Sequence, residues 1–77
     1  MSSAELEFSS HARLRMGKKQ IDENQVRMII ERGVGAPEAA DAGASPRFSY
    51  RAMLDGHWIK VVVAVESDRM VVVTIVS

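Results

Sequence analysis

Apolar and acidic side chains alternate through Ala4, Glu5, Leu6, Glu7 and Phe8, a period of two that predicts a short strand or extended arm. Ser9 or Ser10 can then cap a helix running to about Lys18, with Gly17 and the polar run behind it as the end signal. The apolar positions of that helix, Ala12, Leu14 and Met16, form no clean stripe, so its stability has to come from tertiary packing. The second helix is better specified. Asp22 followed three residues later by Gln25 is a capping-box pattern, and Ile21 and Val26 are spaced as a hydrophobic staple. Val26, Ile29 and Ile30 recur at helical spacing with Val34 just beyond, while Arg32 and Gly33 supply a terminal cation and a stop.

The stretch 33–46 holds three Gly, two Pro and five Ala, with Glu38 and Asp41 its only charges. It predicts a flexible loop, with room for a helical turn around Glu38 to Ala42. From Arg47 the period becomes two, and Asp55-Gly56 is the dipeptide type that closes a two-residue hairpin. That turn sets Leu54 against His57, Met53 against Trp58, Ala52 against Ile59, Arg51 against Lys60 and Tyr50 against Val61. Phe48, Tyr50, Ala52, Ile59, Val61 and Val63 then share the face that meets the helices. A third strand, Met70 to Val76, returns after Ser67-Asp68-Arg69 and is apolar on both faces, as for a strand covered on two sides by another strand or a partner. These elements predict an α+β fold, two N-terminal helices packed on an antiparallel β-meander of three to four strands, in a single domain spanning 1–77.

Composition narrows the class. At 77 residues the chain has room for one core, which hides only about 60% of the unfolded surface at this size. It lacks cysteine, so neither disulfides nor thiolate metal sites are expected. The start carries Glu5 and Glu7 and reads as no signal peptide, and the longest apolar runs, Val61 to Val65 and Met70 to Val73, are too short to cross a bilayer. A cytoplasmic protein with no membrane contact is the expectation. Ten basic and ten acidic side chains cancel, so nucleic-acid binding would need a local patch. One lies between Ser9 and Gln20, where Arg13, Arg15, Lys18 and Lys19 accompany His11 without an acid. A solvated helix face would have the same composition.

His11 and Arg15 are four apart and share one side of a helix, with Lys18 about a turn further along. An imidazole beside fixed positive charge is what metal-free cleavage of an RNA phosphodiester uses, one group to move protons and donors to hold the phosphorane oxyanions. The plain alternative is a histidine that makes a local hydrogen bond or packs. Arg51 directly across from Lys60 costs stability unless something offsets the like charges. An anion would do so, and so would two long side chains splayed into water. Trp58 and Met53 flank that pair as an apolar wall for a base or a partner's helix. With two histidines, His11 and His57, and no cysteine, no metal site is expected, and no cofactor motif or nucleophile elbow is present.

The run Ser10-His11-Ala12-Arg13-Leu14-Arg15-Met16, followed by Ile21-Asp22-Glu23-Asn24-Gln25-Val26 and Ile29-Ile30-Glu31-Arg32-Gly33, resembles the opening of the bacterial domain-of-unknown-function 4258 family. Arg51, the strand Ile59-Lys60-Val61-Val62-Val63 and the closing Val72-Val73-Thr74-Ile75 also resemble its sheet. Gln20 stands where the family usually has a glycine. The resemblance covers roughly Phe8 to Val76 and implies a RelE-like, barnase-like toxin fold. It further implies metal-independent cleavage of mRNA, at the ribosome or free of it, held in check by a cognate antitoxin. On that basis His11, Arg15, Arg51, Lys60 and Thr74 are the candidate catalytic residues, and Arg13, Lys18, Lys19 and Trp58 the candidate RNA contacts. The competing class is a non-enzymatic interaction module that binds a partner, or a second copy of itself, through the sheet.

Overall fold

A computed structural model describes residues 5–39 and 43–77. In chain order the elements are β1 (Glu5–Phe8), α1 (Ser10–Lys19), α2 (Glu23–Arg32), β2 (Val34–Glu38), β3 (Arg47–Leu54), β4 (His57–Val65) and β5 (Arg69–Val76). The strands form one five-stranded sheet in the order β1-β5-β4-β3-β2. β1 runs parallel to β5, and every other neighbouring pair is antiparallel.

The α+β class and the two helices agree with the sequence, but the expected three- to four-stranded antiparallel meander does not. The arm at Leu6 to Phe8 becomes a parallel edge strand, and the expected loop supplies a fifth strand, β2. β2 pairs with β3 from Val34 opposite Arg51 to Glu38 opposite Arg47. The helical turn expected near Glu38 is not seen there, because Glu38 closes β2, and residues 40–42 lie outside the described residues, as does Ala4.

Both helices start where the sequence places caps. The Ser9 hydroxyl accepts from the Ala12 amide, and Asp22 and Gln25 form the reciprocal capping box. α1 runs past Gly17 to Lys19 and ends on Gln20 in the left-handed conformation, with φ 57°. It buries only Ala12 and Met16 and leaves Leu14 59% exposed, which is why its sequence has no broad apolar stripe.

The β3–β4 hairpin turns on Asp55 and Gly56, both at positive φ, and its register is the one that turn dictates. Ile59, Val61 and Val63 of β4 point to the helices and join Val26, Ile29, Val72 and Ile75 in the core. Each such side chain, once fully buried, contributes about 1.5–3 kcal/mol of hydrophobic stabilisation. Between Val62 and Val63 the β4–β5 register slips, because Val62 faces Thr74 and Val63 faces Val72, leaving Val73 as the extra residue of a bulge. At that same point β1 ends: Phe8 faces Val72, the Ser9 amide donates to the Val72 carbonyl, and the Ser9 hydroxyl donates to Val73. Beyond it, α1 takes the place of β1 along the edge of β5.

At the β1 end, Arg69 binds Glu66 at 3.0 Å and Glu7 at 2.9 Å, and these hydrogen bonds and charges raise its pKa further. No helix among the described residues is long and apolar enough to cross a membrane.

Candidate functional site: the seam between α1 and β5

Because β1 stops at Val72, the second half of β5 meets a helix rather than a strand. α1 turns His11, Arg15 and Lys19 toward that edge, each four residues after the last. The His11 Nε2 lies 3.1 Å from the Thr74 hydroxyl, the Arg15 Nε donates to the Ile75 carbonyl at 3.3 Å, and the Lys19 ammonium donates to the Ser77 hydroxyl. Three helix side chains therefore follow three successive points of one strand edge. His11 is exposed and Arg15 half-buried at this seam, and it is the Nε of Arg15 that the Ile75 carbonyl engages.

Of the expected site residues, His11, Arg15 and Thr74 come together here. The third side chain of α1 to reach the edge of β5 is that of Lys19, not Lys18, which is exposed. Arg13 is drawn away from the seam: it binds Glu23 of α2 at 2.9 Å and stacks over the Phe8 ring, with 5.2 Å to the centroid.

Arg51 and Lys60 form a second group. They face each other across β3 and β4, and alternation with buried Ile59 and Val61 puts them on the sheet face away from the helices. Lys60 leans away from β5, across β3 to the opposite edge, where its ammonium meets the Glu38 carboxylate at 3.3 Å. The anion that offsets the Arg51–Lys60 repulsion is thus a side chain of this protein. Glu38 is the residue the sequence reading missed, and the alternation of Val34, Ala36 and Glu38 was its one available signal. Arg51, Val34 and Trp58 line a hollow of about 250 Å³ on this open face, and Trp58 is 60% exposed. The catalytic candidates therefore form two groups, His11 with Arg15 and Thr74 at one edge, and Arg51 with Lys60 on the open face.

Among the described residues, no three side chains of His, Cys, Asp or Glu converge as metal ligands. The seam offers an imidazole to exchange protons, a hydroxyl that orients it, and two cations for an anionic substrate. No curated protein and no solved structure matches the chain. A family model, Domain of unknown function (DUF4258), matches residues 8–77, nearly the whole chain. Both helices and all the sheet strands from β2 onward fall within that match, which takes in only Phe8 of β1, and the chain belongs to the DUF4258 family.

Proposed function

We propose that this chain is a RelE-like toxin-type domain that cleaves mRNA without a metal ion, with the α1–β5 seam as its active site. The observation that carries this reading is the contact of His11 with Thr74 at 3.1 Å, one helical turn from Arg15. In this mechanism the imidazole takes the proton of a ribose 2′-hydroxyl. The 2′-oxygen then attacks the adjacent phosphorus, and the bond from phosphorus to the 5′-oxygen breaks. The products are a 2′,3′-cyclic phosphate and a 5′-hydroxyl, the latter receiving its proton from the imidazolium or from water. Thr74 engages Nε2 and leaves Nδ1 for substrate. Arg15 anchors through Nε and keeps its Nη donors for the phosphorane oxygens, where charge-assisted hydrogen bonds act most strongly.

Arg51 and Lys60 are set apart from that centre, and their role in this reading is to hold flanking strand on the open face beside Trp58, with Lys19 extending the positive track along α1. The place of action is the cytoplasm, where an mRNA or ribosome and a cognate antitoxin would be the partners. Mapping the ends of cleaved RNA tests the chemistry: cyclic phosphate and 5′-hydroxyl ends, lost in His11→Ala, are expected, and 5′-phosphate ends contradict it.

A second reading has its own observation. Val34, Met53 and Trp58 are 63%, 57% and 60% exposed on neighbouring strands of the open face, an arrangement that favours a non-enzymatic module docking a protein or a second copy there. Sedimentation over a range of concentrations, with Trp58→Ser beside the wild type, separates the two. A dimer that Trp58→Ser dissolves, without RNA cleavage, establishes the module.

A further inference from the structure

The α1–β5 seam does not end at Ser77. Its last pair, Lys19 and Ser77, lines a cleft of about 550 Å³ between the α1–α2 corner and the tip of the β3–β4 hairpin. That is within the range of sites built for small organic ligands, about 300–1,000 Å³. His11, Arg15 and Lys19 are successive at four-residue steps, so the cleft begins about 12 Å along the helix from His11 at a rise of 1.5 Å per residue. An extended RNA strand with one phosphate at His11 and Arg15 would pass Lys19 and reach the cleft within a few nucleotides.

The lining chemistry identifies what belongs there. Ile21, Ile59 and Leu54 make an apolar floor, the first two buried and the third half-buried. Around it stand groups of mixed polarity. Asp55 brings an acceptor from the hairpin turn, His57 an imidazole, and Gln25 the amino end of its amide, whose oxygen is already held by the Asp22 amide. A simple anion would not need the apolar floor, and an acyl chain would be repelled by the carboxylate. A planar heterocycle satisfies both, with apolar faces and an edge of donors and acceptors.

We propose that this cleft is a nucleobase subsite, in which the floor packs against a base face, Asp55, His57 and Gln25 read its edge, and Lys19 holds the neighbouring phosphate. The inference rests on the reading of the seam as an RNA-cleaving site and gives that site its sequence preference. Asp55 is the main discriminator, because an acceptor fixed in a turn pairs with the exocyclic amino groups of guanine, adenine or cytosine, whereas uracil has only its ring N3–H to offer.

The test uses Trp58, the only tryptophan in the chain and itself part of the cleft wall, as its reporter. The four nucleoside 5′-monophosphates are titrated into the full chain and indole fluorescence is followed. A saturable change is expected, weakest for uridine monophosphate. His57→Ala should weaken the preferred nucleotide at least tenfold, and Asp55→Asn, which keeps a residue tolerant of the left-handed turn, should change the order of preference. No saturable change with any nucleotide, or identical titrations in both variants and the wild type, overturns the subsite. Because fluorescence reads binding alone, a protein that binds nucleotides here yet cuts no RNA upholds the cleft and sinks the cleavage reading, whereas cleavage without this binding does the reverse.

Discussion

The His11 imidazole and the Thr74 hydroxyl, 63 positions apart in sequence, meet at 3.1 Å, and this contact exists because β1 stops one residue short of the bulge at Val73. A β1 extended by two residues would occupy the edge that α1 now follows, and the seam would not form. Thr74 positions the histidine rather than touching substrate in this account. Thr74→Val is expected to lower the RNA cleavage rate about tenfold, equivalent to about 1.4 kcal/mol of barrier, without altering the melting temperature by more than a degree or two. Thr74→Ser, which keeps the hydroxyl, should restore most of the rate. Equal loss in both variants would show that packing, not the hydrogen bond, is what matters there.

Glu38 neutralises Lys60 where Lys60 faces Arg51. Glu38→Gln should therefore leave two cations opposed and destabilise the fold, by no more than about 1 kcal/mol because the pair is partly exposed. Chemical denaturation at low and high salt checks this, and the loss should shrink as salt screens the repulsion. The same variant frees the Lys60 ammonium and should raise affinity for single-stranded RNA. A drop in affinity would remove Lys60 from the RNA-binding face.

Gly33 is required for space, not for its dihedral angles. A β-carbon there would stand 2.4 Å from the Ile29 carbonyl oxygen and 2.7 Å from that of Arg51, both backbone atoms that cannot step aside. Gly33→Ala is predicted to cost on the order of 1–3 kcal/mol in urea unfolding, as overpacking does. Gly17→Ala, where nothing lies within 4 Å, should instead be neutral or stabilising, since alanine is the better helix former. If the two variants unfold alike, the tight junction of α2 with β3 is not as described.

These glycines also explain which parts of the fold were legible in the sequence. The Asp22 capping box and the Asp55-Gly56 hairpin are encoded by local side-chain chemistry, and both elements form with the boundaries and register those residues dictate. β2 is different. Val34-Gly35-Ala36-Pro37-Glu38 carries two residues that ordinarily mark loops, yet Gly35 is tolerated because the Tyr50 ring packs over it, and Pro37 because β2 is an edge strand. Only tertiary contact distinguishes such a strand from a coil. Missing it hid Glu38, and with it the direction in which Lys60 leans. The parallel pairing of β1 was hidden for a similar reason, since a four-residue alternation does not say which strand it will join.

The helix stripe of His11 and Arg15 was readable from spacing alone. Its third member was not, because the choice between Lys18 and Lys19 depends on how α1 is rotated against β5, and that is set by burial of Ala12 and Met16. Lys19→Ala should accordingly weaken RNA binding several-fold more than Lys18→Ala, and a salt titration should show a smaller slope for the former. Equal effects would place the RNA off the seam.

The most direct test of the active-site assignment is the rate at which purified protein cleaves a labelled RNA in EDTA, with His11→Ala run under the same salt. Cleavage that persists in EDTA and falls about 10²- to 10⁴-fold in His11→Ala is the predicted result. Failure of the wild type to cleave, with or without ribosomes, or an undiminished rate in His11→Ala, would contradict it.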